Sequence, residues 1–218
     1  MINAFDINKL HIPLLKEQFQ LELPGIQAQN RMSPIQNSGK YRTPSTGHKT
    51  ACVMALLHPK QEELYVTFIK RAASHPDDKH AGQIGFPGGK FEEGDESLLM
   101  CALRETNEEI GVSASDIEVL GELTSLYVFA SDFMVYPFVG YLDYMPDYQP
   151  QVEEVAGIHE VPLRTLIDPA FKVSQKVRLS EGFSLDAPGY DINGDFLWGA
   201  TAMISSELES VLNGVLLQ

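Results

Sequence analysis

The chain has 218 residues, 44% hydrophobic and 21% charged, the balance of a globular protein with ample material for one core. Its formal net charge of −14 argues against nucleic acid as a partner, because phosphate backbones recruit lysine and arginine. It contains no apolar run near the roughly 20 residues of a membrane span, no basic-then-apolar leader and only two cysteines. A cytoplasmic protein with no membrane partner is therefore expected, with Cys52 and Cys101 as buried reduced thiols.

Residues from about Phe5 to Leu21 read as a helix with Leu10, Leu14 and Phe19 apolar, broken at Leu23-Pro24-Gly25. A polar stretch runs on to about His48, so 1–47 form an N-terminal helix and extended segment and 48–218 the main domain. The N-terminal part could pack on that domain or on a second subunit. Ala51–Leu57 and Leu64–Ile69 predict two strands, joined across residues 58–63. Farther on, Ile117–Leu123, Ser125–Phe129 and Met134–Leu142 carry β-branched and aromatic residues at strand length. Val155–Val161 predicts a strand, Leu163–Leu166 a helical turn and Phe171–Leu179 another strand. Asn193-Gly194 is a strong hairpin signal leading into Phe196-Leu197-Trp198, and Thr201–Leu217 is an amphipathic helix. Strands interleaved with two substantial helices indicate a mixed α/β layered domain.

Most of the functional information lies between Gly88 and Val112. A glycine turn leads into a helix ending Arg104-Glu105-x-x-Glu108-Glu109-x-Gly111. Asp95 is placed to cap its start and Gly111 to stop it in a left-handed conformation. At about 100° per residue, Leu99, Leu103, Thr106 and Ile110 form one stripe, taken as the core face. Glu105 and Glu109 lie about 40° apart on its flank, with Ala102 between stripe and carboxylates and Glu108 farther round. Carboxylates at a helix C-terminal end oppose the macrodipole and repel one another. Such a cluster can be a solvated helix end, but a bound divalent cation is the simplest compensation. Oxygen-only donors suit Mg²⁺ or Mn²⁺, and magnesium commonly completes its octahedron with water and phosphate oxygens.

This run resembles the Nudix box, which is Gly, five residues, Glu, seven residues, then Arg-Glu-hydrophobic-x-Glu-Glu-x-Gly-hydrophobic. The match runs through Gly89, Asp95 in the first acidic place, Arg104, Glu105, Thr106, Glu108, Glu109, Gly111 and Val112. It departs in two ways: the gap before Arg104 has eight residues, and Thr106 fills a usually aliphatic place. A narrower resemblance, to the coenzyme A diphosphatase branch, is carried by Arg71, by Gly82–Gly89 with its Phe86-Pro87-Gly88-Gly89, and by Leu197–Ala202. Asp78 stands where that branch has a second arginine, with Lys79 next to it.

The resemblance implies an α/β/α sandwich with a mixed β-sheet and a homodimer. It also implies Mg²⁺ (or Mn²⁺)-dependent hydrolysis of a nucleotide-type diphosphate, with coenzyme A or acyl-coenzyme A as substrate. ADP-ribose or a dinucleoside polyphosphate is the alternative substrate, and a catalytically silent ligand sensor the alternative class. Glu105, Glu108 and Glu109 are the expected catalytic and metal-binding residues, with Glu108 ahead of Glu109 as base and Glu153, Glu154 and Glu160 as later acids. Arg71, Lys79, His80, Gly88, Gly89 and Lys90 are the candidate substrate contacts, each also readable as an ordinary surface or turn residue. Arg104 is expected to brace the loop through Asp95 or Glu96, and Phe86 and Trp198 to pack in the core. Two other nucleotide motifs fail. Ile84 and Phe91 occupy the glycine and Ser/Thr places of a Walker loop, and Gly82-x-x-Gly85-x-x-Gly88 lacks the dinucleotide spacing.

Overall fold

The computed structural model describes residues 7–35, 43–73, 81–178 and 184–216. Its centre is a mixed sheet built on β1 (Lys49–Lys60), whose residues Cys52 and Met54–His58 are buried. Such a continuous apolar run is what a strand covered on both faces requires. One edge of β1 pairs in parallel with β7 (Phe133–Tyr141), which in turn pairs antiparallel with β5 (Glu118–Glu122) and β6 (Leu126–Val128). On its other edge the C-terminal half of β1 pairs with β2 (Glu63–Arg71), and β2 carries β8 (Val155–Pro162) on its outer side.

Between β1 and β2 the sheet forks. The N-terminal half of β1 pairs with β4 (Gly88–Lys90), and the C-terminal end of β2 pairs with β3 (Ile84–Gly85). The glycine segment therefore crosses the opening of the fork, held midway by the bond from Met54 N to Pro87 O at 2.8 Å.

Helix α3 (Leu98–Ile110) covers one face of the sheet, packing Cys101, Ala102, Leu103 and Ile110 on Cys52, Met54, Leu56, Ile69 and Phe138. Helix α5 (Gly199–Leu216) covers the other with Leu208, Val211 and Leu212 on Leu57, Val66 and Val139, beside the short α4 (Arg164–Ile167). The expected α/β/α arrangement with a mixed sheet is thus present. Beside α5 lies a second, three-stranded antiparallel sheet of β9 (Lys172–Arg178), β10 (Ser184–Ile192) and β11 (Asp195–Trp198), with the Asn193-Gly194 turn as expected.

The N-terminal reading needs correction. The single helix from Phe5 to Leu21 is a 3-10 turn over Lys9–His11 followed by α1 (Ile12–Gln18), with Asn8 capping the turn and Pro13 in the first turn of α1; Phe5 lies outside the described residues. The segment read as polar coil contains α2 (Gly25–Asn30). This part packs on its own domain. Glu207 of α5 is fully buried and accepts from Gly25 N, Gln29 Nε2 and both the amide and hydroxyl of Thr124. The α2 sequence is polar because its partner is a buried carboxylate, which hydrophobic periodicity does not detect.

Candidate active site

Ser97, not Asp95, caps α3: its hydroxyl accepts from Met100 N at 3.2 Å. Asp95 is occupied elsewhere, accepting from Arg104 Nε at 2.8 Å and Nη2 at 3.0 Å and from Glu92 N at 2.8 Å. The guanidinium beside it holds the Asp95 carboxyl down at about 2. Arg104 also donates to Lys90 O at 3.2 Å and to Glu108 at 2.9 Å, and pairs with Glu105 at 2.9 Å. It therefore staples the strand-to-helix loop to the helix, as expected. Gly111 ends the helix at φ 75°, the left-handed region that favours glycine. The unusual Thr106 is buried and donates its hydroxyl to Ala102 O at 2.7 Å, so its polar group is satisfied within the helix.

The buried face of α3 is rotated from the expected stripe. Leu103, Thr106 and Ile110 are buried with Ala102 and Glu109, while Leu99 is only half-buried. The glycine segment in the fork lies against this flank. Gly88 N donates to Glu109 Oε2 at 2.7 Å, and a Cβ on Gly89 would stand 2.4–2.5 Å from the Glu105 carboxylate. Glycine is required here because helix carboxylates occupy the space of a side chain.

Glu109 is 2% exposed, and desolvation pushes its carboxyl up to about 8. The Gly88 amide and Arg71, 3.9 Å away, oppose that rise, whereas Glu105 and Glu154 add to it. Burial also raises Glu105, with Arg104 opposing and Glu108 and Glu154 reinforcing. Glu154 comes near through a β-bulge: Lys70 pairs with Gly157 but Arg71 with Val155, leaving Ala156 over, and Ala72 N donates to Glu154 O at 2.8 Å. The segment before it braces the helix end, with Gln149 N and Gln151 N donating to Ile110 O and Glu109 O at 3.0 Å each.

Of the predicted residues, Glu105, Glu109, Gly88, Gly89 and Arg71 come together around the fork. Glu108 is half-exposed and tied to Arg104, and Lys90 contributes its carbonyl to that arginine. Lys79 and His80 lie outside the described residues. Glu160 belongs to a different cluster, bonded to Lys60 at 2.5 Å, while Glu154 is the later acid whose charge reaches Glu105 and Glu109. Phe86 is buried against Phe68 at 4.7 Å between ring centroids, and Trp198 is half-buried. The missed feature is the bulge: nothing in residues 153–157 beyond two acids before a strand signals it. Among the described residues, no group of three or more His, Cys, Asp or Glu side chains is arranged to hold a metal ion by itself. An open magnesium site that relies on water and substrate oxygens does not need one.

Comparison with known proteins identifies the class. The NUDIX domain model matches residues 47–180, more than half of the chain, and the protein belongs to that family. It is 34% identical over 200 residues to an uncharacterized Nudix hydrolase, NudL, of Yersinia pestis (strain Pestoides F), covering 88% of this chain and 89% of that one. The Yersinia enterocolitica protein of the same description is 38% identical over 144 residues, covering 62% and 68%. A MutT/nudix family protein from Enterococcus faecalis shares the fold with TM-score 0.51 and 18% identity, over 94% of this chain and 69% of that one. The chain is thus a Nudix hydrolase, an enzyme acting on pyrophosphate bonds. Among the described residues no helix is long and apolar enough to cross a membrane.

Proposed function

We propose that this enzyme hydrolyses the diphosphate linkage of coenzyme A or acyl-coenzyme A, giving adenosine 3′,5′-bisphosphate and a 4′-phosphopantetheine, with Mg²⁺ or Mn²⁺ as cofactor. The observation that carries the reading is Glu109, a carboxylate buried against the glycine fork beside other acids, with its charged form destabilised by desolvation. A hard cation among oxygen donors would relieve that repulsion, so the donor set fits the metal. Glu105 and Glu109 would hold it, with Glu154 adding negative charge nearby and Glu108 contributing from the outer side. When bound, the cation neutralises diphosphate oxygens and acidifies a water.

The remaining work falls to the chain. Gly88 N fixes one oxygen of Glu109, and Gly89 leaves Glu105 room beside the backbone. Arg71, 3.9 Å from Glu109 and one-third exposed, would take a phosphate oxygen while keeping the glutamate oriented. Glu109 is the better candidate to accept a proton from water, because Glu108 already engages Arg104. Coenzyme A is favoured over other nucleotides by the Gly82–Gly89 segment and Arg71, and the subunits are expected to pair and to work in the cytoplasm.

The test is product analysis across coenzyme A, ADP-ribose and dinucleoside polyphosphates with Mg²⁺ or Mn²⁺. Release of adenosine 3′,5′-bisphosphate is the expected result. Turnover of ADP-ribose alone would replace the substrate, and no metal-dependent turnover of any of them would favour a ligand sensor.

A further inference from the structure

The run Leu197-Trp198-Gly199-Ala200-Thr201-Ala202 supplies no group to the carboxylate cluster, yet it lies against the strand that leads into the glycine fork. Leu197 is fully buried opposite Tyr190 of β10, and Gly199, at φ 67°, turns β11 straight into α5. With Ala202 packed in the core, that turn sets Thr201 in the first turn of α5, beside β3. Its hydroxyl donates to Ile84 O at 3.1 Å.

The carbonyl is free to accept for a reason of register. Gln83 O accepts from Arg71 N at 3.0 Å, and successive carbonyls of a strand point to opposite edges. Ile84 O is therefore turned away from β2, toward the open side of the fork. Strand pairing gives it no donor there, and a carbonyl in a buried place is costly to leave unpaired. Lys70, the cross-strand partner of Ile84, is tied to the same hairpin: its ammonium donates to Asp195 Oδ1 of β11 at 2.9 Å.

The glycine segment is thus gripped from both faces of the sheet. On the α3 face Gly88 N donates to Glu109, midway Pro87 O accepts from Met54 N, and on the α5 face Ile84 O accepts from Thr201. Packing does not substitute for the last of these, because the place of a Cβ on Gly85 has nothing within 4 Å. We propose that Thr201 is a positioning residue of the hydrolase: its hydroxyl fixes the start of the glycine segment, and through it the Gly88 amide that orients Glu109, a role that rests on Glu109 working in the site as proposed above. Thr201 stands across the sheet from the carboxylates, so its loss should act on rate rather than on substrate affinity.

Thr201→Val keeps the shape and removes the hydroxyl, Thr201→Ala removes it without setting a methyl against the carbonyl, and Thr201→Ser retains it. Either of the first two suffices should the other not fold. Hydrogen–deuterium exchange of the full chain without substrate, with β10 as internal reference, reads the segment directly. Exchange across 84–89 should quicken by about threefold to tenfold in Thr201→Val and Thr201→Ala, the weight of one neutral hydrogen bond, and keep the wild-type rate in Thr201→Ser. Turnover is followed on coenzyme A, or on ADP-ribose should that be the substrate, with Mg²⁺. Its kcat should fall by about tenfold in the first two variants with KM within about twofold, and recover in Thr201→Ser. Wild-type exchange in Thr201→Val and Thr201→Ala, an equal rise in β10, or a Thr201→Ser variant as impaired as Thr201→Val would overturn the role. So would quicker exchange with undiminished kcat while Glu109→Gln, measured alongside, is slow. Wild-type turnover in Glu109→Gln would instead overturn the reading of the site, and the exchange data would still decide whether Thr201 holds the segment.

Discussion

Alanine at Gly89 would place a Cβ 2.4–2.5 Å from the carboxylate of Glu105, where ordinary contact begins at 3.4 Å. The carboxylate must retreat by about 1 Å, the scale of misplacement that can cost roughly 100-fold in rate. It is the far end of a flexible side chain that is 13% exposed, so the fold should lose no more than about 1 kcal/mol. The neighbouring glycine provides the control. A Cβ on Gly88 would meet Cys52 O at 2.3 Å and Val53 Cα at 2.6 Å, at φ 153°. Those are backbone atoms of the central strand, so Gly88→Ala should lose about 3 kcal/mol or more through overpacking and backbone strain. Urea unfolding together with steady-state turnover on the diphosphate substrate separates the two effects. Gly89→Ala should be nearly as stable as wild type yet slow; wild-type turnover would refute the placement of Glu105 in the site. Equal destabilisation by both substitutions would refute the view that the fork yields at one glycine and not at the other.

Two further outcomes concern the supports of the site. Glu207→Ala leaves the donors of Gly25, Gln29 and Thr124 without their acceptor in a buried place, and should lower unfolding free energy by about 3–5 kcal/mol, measured by urea titration. Asp95 is depressed by Arg104 to about 2, so the stability that it contributes is complete above its ordinary value of 3.8 and is lost as pH falls toward 2. The stability gap between wild type and Asp95→Asn should accordingly narrow over that interval in acid unfolding curves.

The Nudix helix was legible because its chemistry is local: Arg104, the three glutamates and Gly111 are spaced by the helical repeat itself. The two long strands and the Asn193-Gly194 turn were readable for the same reason, since β-branched runs and a two-residue turn carry their own signal. What escaped depends on distant contacts. The buried face of α3 turns toward Glu109 because β4 lies in a fork between strands, and Asp95 leaves the cap to Ser97 because Arg104 claims it across the loop. Glu154 reaches the helix pair through a register shift that no residue in β8 announces. Helix α2 owes its place to Glu207, 178 residues beyond Gln29 in the chain.

On the proposed reading, the buried Glu109 works with a cation. Glu109→Gln keeps the shape and the bond from Gly88 N while removing the charge, so the measurement is turnover and thermal unfolding of this variant beside wild type across a Mg²⁺ or Mn²⁺ titration. Turnover lower by orders of magnitude at every cation concentration, with the unfolding transition nearly unchanged, is the predicted result; turnover equal to wild type would contradict it.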